Sequence, residues 1–170
     1  SDITGFHAQA YWNNLSGGSG TLNTPKTSDN TPHSSINVTW ATSGEWGAGT
    51  GNSDPTERLL NGMATSTATD EGSAQSITFS GVPAGSHTLF VHAVQVPQEF
   101  FNMNFIAVTH GSAGDVLQRR YIRPQNSDEY NPSPGFSLVT ASTPQSRGVG
   151  NLLRFDGLQP GSDGVIELRF

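Results

Sequence analysis

One short pattern occurs twice in this 170-residue chain: SITFSGVPAGSHTLFVHA from Ser76 to Ala93, and LLRFDGLQPGSDGVIELRF from Leu152 to Phe170. In both, a run of alternating apolar residues enters a Gly-apolar-x-x-Gly or Gly-apolar-x-Pro-Gly turn and leaves as a second alternating run. A period of two puts every second side chain on one face, so two such runs joined by a tight turn share a buried face. The pattern predicts a β-hairpin or a β-corner, twice. No segment keeps a helical period, and the chain reads as all-β.

That reading needs enough chain to bury a core, and 170 residues suffice for one two-layer domain without staples. We expect a single domain over residues 1–170, since no linker separates two independently patterned halves. With 13% charged and 33% hydrophobic residues, the remainder is largely Gly, Ser, Thr, Asn and Pro, the composition of many short strands joined by turns. Cysteine is absent, which fits a bacterial secreted protein that folds without disulfides. The formal net charge of -6 argues against a nucleic-acid partner, which would demand a dense basic face. No run approaches the roughly 18 apolar residues of a membrane span, and no signal peptide is visible at Ser1. The expected location is extracellular or at the cell surface.

Along the chain, Phe6, Ala8, Ala10 and Trp12 alternate with His7, Gln9 and Tyr11, predicting a strand over residues 2–12 with a small-residue face. A polar loop follows to Ser35, then Ile36, Val38 and Trp40 mark a half-buried strand, a Gly-rich turn surrounds Trp46, and a short helical turn or strand covers Thr56 to Met63. Further strands are expected at Leu89 to Ala93, Phe105 to Val108, Val116 to Ile122, Phe136 to Thr140, Asn151 to Phe155 and Val165 to Phe170. Trp40, Phe79, Leu89 and Phe155 are the predicted inner-face core.

The strings YWNNLSGGSGTL, VTWATSGEW, ERLLNGM, ITFSGVPAGSHTLFVHA and NLLRFDGL together resemble a jelly-roll, galactose-binding-like β-sandwich module of secreted and surface bacterial proteins. The resemblance spans nearly the whole chain and implies an antiparallel β-sandwich. It also implies a departure: such modules run on past the position of Phe170 into a short closing strand, so the fold is expected to lack a strand at one sheet edge. An open apolar edge is a template for another chain. Residues 2–12 are a natural donor for it, with alanines small enough to lie between two sheets. The other reading is that they form the first strand of their own domain.

Catalytic chemistry is hard to find. G-x-S-x-G is missing, and SGGSGT at Ser16 to Thr21 reads as a flexible turn. Glu45, Asp54, Glu57, Asp70, Glu71, Asp128 and Glu129 all fall in expected loops, where spacing cannot pair them as a glycosidase requires. His87 and His92 differ in strand parity, and His7, His33 and His110 lie far apart, so no metal site and no cofactor are expected. GNSDPTE and TATDEG offer oxygen ligands but do not match a calcium loop.

Two non-catalytic functions remain. The first is a structural subunit that assembles with copies of itself into a filament or surface layer. Its interface candidates are Phe6, Ala8, Ala10 and Trp12, with Arg119, Arg120 and Arg123 as a basic patch suited to acidic loops of a neighbouring copy. The second is a carbohydrate-binding module, in which Trp46, Phe100, Phe101, Tyr121 and Tyr130 would offer aromatic platforms to a polysaccharide.

Overall fold

A computed structural model describes residues 11–13, 15–47, 62–66, 73–93, 103–111, 114–122 and 137–170, with the backbone alone at 45–47 and 62–65. Eleven strands are present among them: β1 (Ser19–Asn23), β2 (Asn37–Ala41), β3 (Gly44–Gly47), β4 (Gly62–Thr65), β5 (Ser76–Ser80), β6 (His87–His92), β7 (Met103–Gly111), β8 (Gly114–Ile122), β9 (Leu138–Val139), β10 (Leu152–Leu158) and β11 (Ile166–Arg169). They form a six-stranded sheet in the order β1-β2-β5-β11-β7-β8, a three-stranded sheet β6-β10-β9 and the pair β3-β4. The protein is an all-β sandwich.

The repeated pattern turns out to be a corner, not a hairpin. β5 lies in the large sheet and β6 in the small one; β10 lies in the small sheet and β11 in the large one. Each copy therefore folds over the core, and the two copies interlock: β5 pairs antiparallel with β11, and β6 with β10. The turns also meet, the Val82 N–H donating to the Gly164 carbonyl at 2.9 Å. Gly81 and Gly157 hold equivalent places, with φ of 70° and 65°, a left-handed backbone that glycine adopts without penalty. The apolar residue after each of them, Val82 and Leu158, turns into the core.

That core is built from both layers. Phe155, Leu153 and Val139 of the small sheet meet Phe105, Ala107, Ile122, Ile166 and Leu168 of the large one, with Ile77, Phe79, Leu89 and Val91 packed around them. Phe155, Phe79 and Leu89 thus stand where alternation placed them. Trp40 does not: it lies outside this cluster, its indole lying over Gly20 of β1 where a Cβ would clash with it, and its Nε1–H donating to the Gly17 carbonyl at 3.0 Å.

Three other expectations change. The polar stretch before Ile36 contains β1, a strand whose only large apolar residue is Leu22; the serine of the SGGSGT string is its first residue, not part of a flexible turn. Gly44 and Gly47 run in β3, antiparallel to β4, and the last two residues of the predicted Thr56–Met63 element, Gly62 and Met63, begin that partner, while 56–61 lie outside the described residues. Of the strand expected at Phe136 to Thr140, Phe136 lies outside the described residues and the described part is strand only at Leu138–Val139, which runs parallel to β10, the one parallel strand pair among the described strands.

Candidate assembly edge

β8 closes one side of the large sheet, pairing with β7 in an unbroken register from Met103↔Ile122 to Gly111↔Gly114. Its sequence GDVLQRRYI carries two adjacent apolar residues, Val116 and Leu117, which strict alternation cannot put on one face. Opposite Phe105 and Ala107 of the core stand Arg120 and Gln118, so even-numbered residues of β8 face inward and Arg119, Leu117 and Asp115 face outward. Val116 is 56% and Leu117 40% exposed.

The inward pair has structural work. The Arg120 Nε–H donates to the Arg154 carbonyl at 3.0 Å, and the Gln118 amide to the Asp156 carbonyl at 2.7 Å. β9 reaches only as far as Leu153 along β10, so these two side chains take over where its backbone ends. The Arg120 guanidinium also sits 5.1 Å from the centre of the Phe155 ring, within cation–π range. Burial pulls the Arg120 pKa down, and the nearby Asp156 charge opposes that shift.

Among the described residues, partners on the free side of β8 gather at its Tyr121 end. At Tyr121, the backbone N–H donates to the Ala141 carbonyl at 2.9 Å and the carbonyl accepts from the Gly148 N–H at 3.0 Å. Backbone direction alternates along a strand, so Arg119, Leu117 and Asp115 also turn their N–H and C=O groups outward. The Arg119 carbonyl accepts from Nη1 of Arg120 at 2.8 Å. Among the described residues, no backbone group meets the outward side of Leu117 or Asp115. The Asp115 carboxylate bonds Nδ1 of His110 across the hairpin at 2.7 Å. By contrast β1, at the opposite edge of the sheet, exposes Ser19, Thr21 and Asn23.

The other predicted site residues are distributed as follows. Phe6, Ala8, Ala10, Phe100, Phe101, Arg123 and Tyr130, the side chains of Trp46 and Glu45, and Asp54, Glu57, Asp70, Glu71, Asp128 and Glu129 lie outside the described residues, as do GNSDPTE and TATDEG. Trp12 is 42% exposed and follows Tyr11, whose φ of 61° bends the backbone out of an extended strand. Asn13 then ties the chain to the β1–β2 connection, its side-chain amide donating to the Lys26 carbonyl and accepting from the Lys26 N–H, both at 2.8 Å. Arg119 and Tyr121 share the outer face of β8 while Arg120 lies on the inner one, so strand parity divides the basic string. The residues that reasoning from sequence passed over are Val116, Leu117 and Asp115; the unpaired apolar dipeptide was the signal for them.

A second polar group lies on the outside of the small sheet. Asp156 accepts from Nε of Arg154 at 2.7 Å and from the Thr88 hydroxyl at 3.0 Å, and Arg154 stands 5.7 Å from the Phe90 ring centre. The Arg154 hydrogen bond, ahead of that from Thr88, holds the Asp156 carboxyl below the usual aspartate range. Among the described residues, no group of three or more His, Asp or Glu side chains is placed to hold a metal ion.

The chain matches no protein-family model, no curated protein and no solved structure. What this edge can do is argued from its geometry.

Proposed function

We propose that the protein is a non-catalytic extracellular structural subunit that self-assembles into a filament or surface layer by strand addition. The observation that supports this is the edge of β8, where Val116 and Leu117 are exposed beside outward backbone groups of Leu117 and Asp115. Sandwiches that stay single usually protect such an edge with charge, proline or a covering segment. Here the edge combines apolar side chains with backbone donors and acceptors at Leu117 and Asp115 that no backbone group meets among the described residues, the features that main-chain pairing with another strand uses.

Replacing Leu117 by Lys tests it, because an exposed edge lysine opposes strand pairing. Sedimentation and electron microscopy of the wild type should find species well above the 18.0 kDa chain. L117K should remain near that mass with an unchanged circular dichroism spectrum. A wild type that is monodisperse at chain mass and binds polysaccharide would instead favour the carbohydrate-binding module.

A further inference from the structure

We infer that β8 of one copy pairs with β1 of the next, so that the large sheet runs on from subunit to subunit. This rests on the assembly reading above and adds the partner element and the polarity of the contact. The six-stranded sheet has β1 at one edge and β8 at the other, and every neighbouring pair within it is antiparallel. An even number of strands makes β1 and β8 run in opposite directions. A second copy in the same orientation therefore brings its β1 antiparallel to β8, with both small sheets on one side. β1 also has the backbone for this contact. One step beyond the β1–β2 register, which opens at Ser19↔Ala41, the Thr42 N–H donates to the Gly18 carbonyl at 2.7 Å. Backbone direction alternates, so Gly20 and Leu22 turn toward β2 while Ser19, Thr21 and Asn23 turn outward. Among the described residues, no backbone group meets that outward side.

One register suits both strands. With Leu117 opposite Thr21, Asp115 stands opposite Asn23, and these two pairs supply the backbone bonds. The Arg120 bond to the Arg119 carbonyl and the His110 bond to the Asp115 carboxylate stay as they are. On the inner face Val116, 56% exposed, comes opposite Leu22, the one large apolar residue of β1. That pair is not backbone-bonded, the kind in which side chains sit closest. Tyr121, whose outward groups Ala141 and Gly148 occupy, falls opposite Gly17, before β1 begins, where a φ of 82° turns the chain out of an extended strand. Sliding two residues one way sets Val116 against Gly20, which has no side chain to meet it; sliding the other way sets Asp115 against Pro25, which has no N–H to give. Because different surfaces meet, the contact is head-to-tail and propagates as a fibre without closing. Residues 2–12 precede β1 in the chain, so their proposed donor role engages the same neighbour.

The chain has no cysteine, so thiols can be placed one at a time. Directly opposed residues of a backbone-bonded pair lie about 5.5 Å apart at Cα, within disulfide reach. Residues 117 and 21 lie on opposite edges of one subunit's sheet, so a disulfide between them must join two copies. On mild oxidation of the full chain, the double variant Leu117→Cys/Thr21→Cys should give a ladder of covalent oligomers. An equimolar mixture of the two single variants should stop at covalent dimers, and each single variant alone should stay uncross-linked. Leu117→Cys/Ser19→Cys, a diagonal pair, should cross-link about tenfold more slowly. Circular dichroism reports whether each variant is folded, and the mixture carries the test if the double variant is not. Covalent dimers from either single variant alone would reveal a twofold contact and overturn this inference. Cross-linking of the 117–21 pair no faster than the diagonal control, with a wild type that still assembles, overturns it too and leaves strand addition standing. A wild type that stays at chain mass overturns both.

Discussion

Gly81 and Gly157 occupy the same place in the two corners and have nearly the same φ, yet their surroundings differ. A Cβ at Gly157 would meet nothing within 4 Å, whereas one at Gly81 would overlap the Ser35 carbonyl. Gly157→Ala should cost only the left-handed backbone penalty, about 1–2 kcal/mol. Gly81→Ala adds a clash with backbone and should cost roughly 2–5 kcal/mol; urea unfolding of the two variants measures the difference. His92 offers a second test at this scale. Burial holds its imidazole below the ordinary histidine range, so the unfolded chain takes up a proton at a higher pH than the folded one. The stability linked to neutral His92 is therefore complete above the unfolded value of about 6.5 and is lost as pH falls through it toward the lowered folded value. Unfolding midpoints should drop on acidification through that window and drop less in His92→Gln; equal drops would assign the acid sensitivity to other groups.

Among the elements, β10 shows how side chains can replace a strand. β9 covers only Leu152 and Leu153, and the carbonyls of Arg154 and Asp156 are taken up by Arg120 and Gln118 of the opposite sheet. Arg120→Ala should strip one carbonyl of its donor and uncover the Phe155 ring, costing about 1–3 kcal/mol. Gln118→Ala should cost less, since it removes a neutral bond and no ring contact; thermal unfolding of both variants ranks them. Arg120→Lys should recover little, because a flexible ammonium cannot reproduce a planar group seated over an aromatic ring. The strands themselves were legible in the alternating runs, and β2, β5 to β8, β10 and β11 stand where those runs predict them. β1 was hidden because SGTLN offers one large apolar side chain, and its strand state comes from five-residue pairing with β2.

For the whole molecule, residues 2–12 are the proposed donor strand. If they leave their own subunit to fill a neighbour's groove, deleting them should give folded, unassembled subunits. Ala8→Asp should act likewise, because a charge forced between apolar sheets costs several kcal/mol. If they belong to their own domain, deletion should unfold the monomer, and filaments that persist after deletion would end the donor role. Electron microscopy with circular dichroism separates these outcomes. The sequence by itself determined the strand class and the glycine positions of the corners, because alternation and turn chemistry act over a few residues. Only the tertiary structure decided that each repeat is a corner spanning two sheets, that Trp40 packs on Gly20 outside the shared core cluster, and that Arg119 and Arg120 face opposite ways. It likewise decided that Val116 and Leu117 sit on a sheet edge. Those outcomes depend on which strands become neighbours across long stretches of chain, and residue spacing carries no record of that choice.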